Sequence, residues 1–249
     1  MPRRPPAAAS LPPGLVPPDF VARHDLWRRL YLDPLTCLTP AHGWAPMTDA
    51  EWTAVAPYLR ALGCGLALPG RAGERMADPR ARLDAIFRAV TLKRPTAPGG
   101  HGGGGRAAWA ALPAAFGPAD TVSRSYRRWA HRELWLALLW AVAQPGAPAA
   151  LRALTWRVCC AVRRGIRIMG LRAVVLARRL RLFSALPAPS PWLPDPELSE
   201  LYRPIFLRVA DRLLAQPAWR PPRWLFRLLR SMQALCGGRT RLRRDWEPA

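Results

Sequence analysis

Lys93 is the only lysine in the chain, so 37 of its 38 Lys and Arg residues (38 − 1) are arginines. Acidic residues are scarce as well, 16 in 249, and none occurs between Glu133 and Asp195. That long stretch therefore offers no carboxylate for a metal or for acid–base work. Five cysteines (Cys37, Cys64, Cys159, Cys160 and Cys236) form no C-x-x-C pair and have no histidine at zinc-finger spacing. The adjacent Cys159 and Cys160 read as small apolar residues on a helix, and a reducing cytoplasm is the expected setting. There is no G-x-S-x-G and no H-E-x-x-H, and the four histidines are scattered, which removes the usual hydrolase signatures. The N-terminal region lacks an apolar h-region because prolines interrupt it, so no secretory signal is expected. The most apolar stretch noted, residues 131–143 (HRELWLALLWAVA), has 13 residues and is too short to span a bilayer.

What is present is positive charge and helical periodicity. A formal charge of +22 and a pI near 11.6 point to a polyanionic partner, either nucleic acid or an anionic membrane surface. Arginine at the expense of lysine, with abundant Ala, Pro and Gly, also fits a GC-rich coding sequence, so charge alone does not identify the partner.

Residues 1–19 are rich in Pro and Ala and are expected to be disordered, with a short amphipathic helix over 20–33. Thr48 and Glu51 form a capping-box pattern, followed by Trp52, Val55 and Leu59 at helical spacing, with Pro57 expected to kink or shorten the helix. Asp78-Pro79 opens the next helix, whose buried stripe is Leu83, Ile86, Phe87 and Val90. The Gly-rich stretch 95–106 lacks G-K-[ST] and a strand–loop–helix context, so it reads as a flexible insertion that loosens the docking of the segments it joins. His101 within it has no metal partner at useful spacing. Residues 151–186 alternate Arg with Leu, Val and Ile, and 197–215 and 223–235 read as two further helices before a basic tail.

The chemistry concentrates in residues 109–129, WAALPAAFGPADTVSRSYRRW. Leu112 and Phe116 sit four apart on a first helical segment, and Gly117-Pro118 breaks the chain at a corner. Asp120 is the expected N-cap of a second helix, on which Val122, Tyr126 and Trp129 share one face. Arg124, Arg127, Arg128 and His131 fall on an opposite arc of roughly 100°. An apolar face holding the helix to a core, with guanidiniums on the other, is how a helix-turn-helix presents a recognition helix to DNA. The simpler reading is a solvated helix face. Ser123 and Arg132 complete the expected DNA-contacting set, and Trp52, Leu83, Ile86, Phe87, Trp109, Leu112, Phe116, Val122, Tyr126 and Trp129 the expected core.

This stretch resembles the small N-terminal helical domain of insertion-element transposases of the insertion-sequence-five group. Their pattern W-x-x-L-P-x-x-F-G-x-x-x-T-V-x-x-x-(F/Y)-x-x-W is matched by Trp109, Leu112, Pro113, Phe116, Gly117, Thr121, Val122, Tyr126 and Trp129. Thr48-Asp49-Ala50-Glu51-Trp52 resembles the family's opening T-D-x-E-W, and residues 82–87 its L-x-A-I-F helix. The resemblance covers about residues 46–143 and implies a bacterial, nucleoid-associated protein that binds double-stranded DNA at element ends, with self-association as a further partner.

The family's catalytic domain holds divalent metal with three acidic residues, because hard cations take oxygen ligands. Here Asp195, Glu197, Glu200, Asp211, Asp245 and Glu247 lie in no apolar β-type run, so catalysis is not carried over. No catalytic residue, metal or cofactor is expected. The fold class expected is all-α: a Pro-rich N-terminal extension (1–45), a helix-turn-helix-like domain (46–143) and an Arg-rich helical extension (151–249). The alternatives are a peripheral membrane protein using the Arg/Leu helices of 151–235, and a non-functional transposase relic.

Overall fold

A computed structural model of the chain describes residues 38–66, 76–94 and 105–238. The expected helix over 20–33, residues 95–104 with His101, and the basic tail lie outside the described residues. The described residues are all helical, with nine α-helices, short 3₁₀ turns and no strand beyond one isolated antiparallel bridge, Lys93 to Arg106. No helix among them is long and apolar enough to cross a membrane. The chain forms two compact units, one built on Pro34–Ser190 and the other on Pro191–Thr240.

In the first unit, α1 (Asp49–Ala61) starts with the expected capping box, Thr48 Oγ1 accepting from Glu51 N and Glu51 Oε2 from Thr48 N. Pro57 is exposed and the helix runs through it. Helix α2 (Pro79–Thr91) is capped by Asp78, whose carboxylate accepts from Ala81 N at 2.8 Å, and it buries Leu83, Ile86, Phe87 and Val90. The ends of the Gly-rich insertion are pinned rather than loose: Arg94 N donates to Gly105 O, and Ala107 N to Leu92 O, both at 2.9 Å.

Residues 109–116 do not form the α-helix expected. They make two 3₁₀ turns, Trp109–Ala111 and Ala114–Phe116. Pro113 is the cause, since a proline holds the residue before it extended, and Leu112 has ψ 128°. Helix α3 (Ala119–His131) follows, with Pro118 at its N-cap. Asp120 stands inside the first turn, where its charge favours the helix N-terminus without a side-chain cap. The helix expected over 131–143 is shorter, α4 (Leu134–Val142), because Glu133 adopts a left-handed conformation (φ 62°) and turns the chain.

The arginine-rich region divides into α5 (Ala149–Ala153), α6 (Thr155–Met169) and α7 (Leu171–Arg179). Gly170 separates the last two at φ +68°, a conformation that L side chains rarely adopt. Helix α6 packs against α2, α3 and α4 and supplies Val158, Cys159, Ala161 and Val162 to the core. The boundary expected at 143 therefore cuts through a single core. Of the expected core residues, Leu83, Ile86, Phe87, Leu112, Val122, Tyr126 and Trp129 are buried, whereas Trp52, Trp109 and Phe116 are half-buried at its margin.

The second unit is an antiparallel helical hairpin of α8 (Pro196–Ala215) and α9 (Arg223–Gly237). Leu198, Tyr202 and Ile205 pack with Met232, and Val209 with Leu225. Asp195 is buried, and its carboxylate caps α8 by accepting from Leu198 N.

Candidate nucleic-acid interface

Helix α3 has two chemically opposed sides. Val122, Ser125, Tyr126, Trp129 and Ala130 are buried, whereas Arg124, Arg127, Arg128 and His131 are exposed. Among the described residues, Arg124, Arg127 and Arg128 join none of the ion pairs formed, so their guanidiniums are open to an external anion.

Aromatic packing fixes the buried side. Tyr126 stacks on Trp135 with ring centroids 5.3 Å apart and meets Trp109 at 5.2 Å, while Trp129 lies 6.1 Å from Trp135. The Tyr126 hydroxyl donates to Ala161 O on α6 at 2.7 Å, and the Trp135 indole N–H donates to Tyr126 O. Burial pushes the Tyr126 hydroxyl well above its ordinary pKa, only partly opposed by Arg164 and Arg106, so it remains a donor. Gly165 admits this contact, because a Cβ built there would stand 2.5 Å from the Tyr126 oxygen.

Two members of the expected DNA-contacting set behave differently from the rest. Ser123 is buried, and its hydroxyl donates to Asp120 O. It turns about 100° from Val122 and falls beside Ala130 rather than among the arginines. Arg132 caps the C-terminal end of α3 and is exposed, but its guanidinium donates to Gly63 O and ties the helix to the turn after α1. Four of the six expected residues thus share one open face.

The arginines of α6 and α7 do other work. Arg164 lies 4.1 Å from the Trp109 ring centroid and donates to Ala89 O and Ala107 O. Arg163 is buried against Trp156 and Cys160, and Arg178 donates to both Ser190 Oγ and Ser190 O. The sequence shows these arginines only as alternating with Leu, Val and Ile. It carried no sign that neighbouring backbone carbonyls would meet them there.

The thiols of Cys64 and Cys159 are buried, and burial pushes both up to about 12, so neither is a thiolate nucleophile near neutral pH. Among the described residues no group of three or more His, Cys, Asp or Glu side chains could hold a metal ion. No family model matches the chain, and no curated protein or solved structure is significantly similar to it.

Proposed function

We propose that this protein binds double-stranded DNA through the open side of α3, as a non-catalytic relative of insertion-element transposases that recognises element ends. The observation carrying this reading is that Arg124, Arg127, Arg128 and His131 lie exposed on one arc of a helix whose other side is anchored by Tyr126 and Trp129. Guanidiniums so placed contact phosphates, which gives affinity without sequence, and match guanine edges bidentately, which gives selectivity. The net charge of +22 supports association with a polyanion.

The test is duplex binding by the full chain across a salt series, with Arg124, Arg127 and Arg128 all changed to Ala. Affinity is expected to fall and the log–log salt slope to flatten by roughly 0.9 for each phosphate that is no longer neutralised. Unchanged affinity and slope would reduce the arginines to a solvated face. Selection from a random-sequence duplex pool then tests the element-end assignment, which predicts one enriched motif.

A second reading draws on the α9 stripe Arg223, Phe226, Arg227 and Arg230, where Phe226 is 51% exposed among three guanidiniums. That pattern suits a helix lying on an anionic bilayer. Sedimentation with anionic vesicles, lost on Phe226→Ser and retained in the α3 triple variant, would favour it.

A further inference from the structure

Helix α9 carries an open cationic face of its own, with an aromatic ring set inside it. At 3.6 residues per turn Arg223, Phe226, Arg227 and Arg230 fall within an arc of roughly 100°. All four are exposed, Phe226 at 51%. The helix sequence, RWLFRLLRSMQALCG, contains no acidic residue. Among the described residues the three arginines join none of the ion pairs formed. A partner complementary to this face is anionic.

The ring and the spacing narrow the form of that partner. The arginines step along the helix axis by about 6 and then about 4.5 Å at 1.5 Å per residue, so one phosphodiester backbone can follow them. Phe226 stands at a height between Arg223 and Arg227, where a base turned out from such a backbone can lie against the ring. In a duplex the base faces are stacked on one another, and a side chain reaches them only by unstacking a step. The exposed ring therefore suits a single strand. The opposite side of α9 is taken up by the hairpin, with Leu225 and Met232 buried and Leu228 and Leu229 packed beside them. Phe226 is left as the one large apolar side chain on the arc, enough for a stacking platform but little area for insertion into a bilayer.

We propose that this face of α9 binds single-stranded DNA without regard to sequence, with Arg223, Arg227 and Arg230 on its phosphates and a base stacked on Phe226. The choice of DNA over RNA rests on the DNA reading of α3. The single-strand site itself does not.

Fluorescence anisotropy with a short labelled oligothymidylate tests it, in the wild type and in the full chain carrying the α3 triple alanine change. In the latter background the single strand is expected to bind about tenfold or more tightly than a duplex of the same length. A strand of abasic sugars keeps the phosphates and loses the bases, so it should bind the unaltered protein about tenfold more weakly. Phe226→Leu keeps apolar area and removes the aromatic face, with the same expected loss, whereas Phe226→Trp should keep wild-type affinity. Changing Arg223, Arg227 and Arg230 to Gln should flatten the log–log salt slope by about 0.7 per phosphate released. The substitutions are on exposed positions, so the thermal midpoint should stay near wild type. If the α3 reading fails, the abasic strand and the Phe226 variants still report on α9. The proposal is overturned by equal affinity for the abasic strand, by equal affinity for duplex and single strand in the α3 variant, or by wild-type affinity in Phe226→Leu. Binding of oligouridylate about tenfold more tightly would overturn it in favour of RNA, and capture by anionic vesicles without binding of the oligonucleotide in favour of a bilayer.

Discussion

On α3, Arg124, Arg127 and Arg128 project from the side opposite Trp129 and face outward. On α6, Arg163 is buried against Trp156, Arg164 bonds two backbone carbonyls over the Trp109 ring, and Arg157 faces Glu51 across 3.9 Å. Both helices are amphipathic and rich in arginine. The difference is what lies next to the polar arc: α6 sits in the middle of the unit, packed by α2, α3 and α4, so its long side chains reach carbonyls and aromatic faces. Arginine suits both settings because its stem covers apolar surface while its planar head keeps several donors. One residue type thus serves as structural tie on one helix and as open cationic face on the other.

The most severe way to break this contrast is to remove α6 altogether. A chain ending at residue 143 loses the partner of Tyr126 and the buried faces of Val158, Cys159 and Val162, so it is expected to show no cooperative thermal transition. A sharp transition with near-native helicity in that fragment would mean that the module stands without α6. Next comes Trp129→Ala in the full chain, where loss of a buried aromatic should cost about 3–5 kcal/mol in urea unfolding. A loss well under 1 kcal/mol would place Trp129 outside the core.

Arg164→Met sharpens the comparison from the other side. Its carbonyl partners Ala89 and Ala107 lose their charged donor, so about 1–3 kcal/mol of stability should go while duplex affinity stays near wild type. A drop in affinity with unchanged stability would reverse the roles assigned to the two helices. The smallest effect on stability belongs to the triple alanine variant of α3, because exposed substitutions typically shift stability within about 0.5 kcal/mol each. Melting and circular dichroism of that variant should overlay the wild type, and a large destabilisation would show those arginines to be structural too.

Local signals in the chain were strong where they depend on adjacent residues. The Thr48–Glu51 box, the Asp78 cap with Pro79 and the stripe Leu83, Ile86, Phe87 and Val90 all occupy the positions their spacing predicts. So does the division of α3 into buried Val122, Tyr126 and Trp129 and exposed Arg124, Arg127, Arg128 and His131. Where short-range rules compete, the prediction missed. Pro113 turned an expected helix into two 3₁₀ turns, and the left-handed Glu133 moved the start of a helix expected at 131 to Leu134.

The sequence by itself determined the helical class, the starts of α1 and α2 and the two-sided character of α3, because caps, prolines and 3.6-residue periodicity act over a few residues. Only the tertiary structure decided that α6 completes the core, that Ser123 is buried, and that Arg132 reaches Gly63 O. These pairings join residues far apart in the chain. A polar arc has the same periodicity whether water or a carbonyl lies beyond it, so packing alone separates an open arginine from a bonded one.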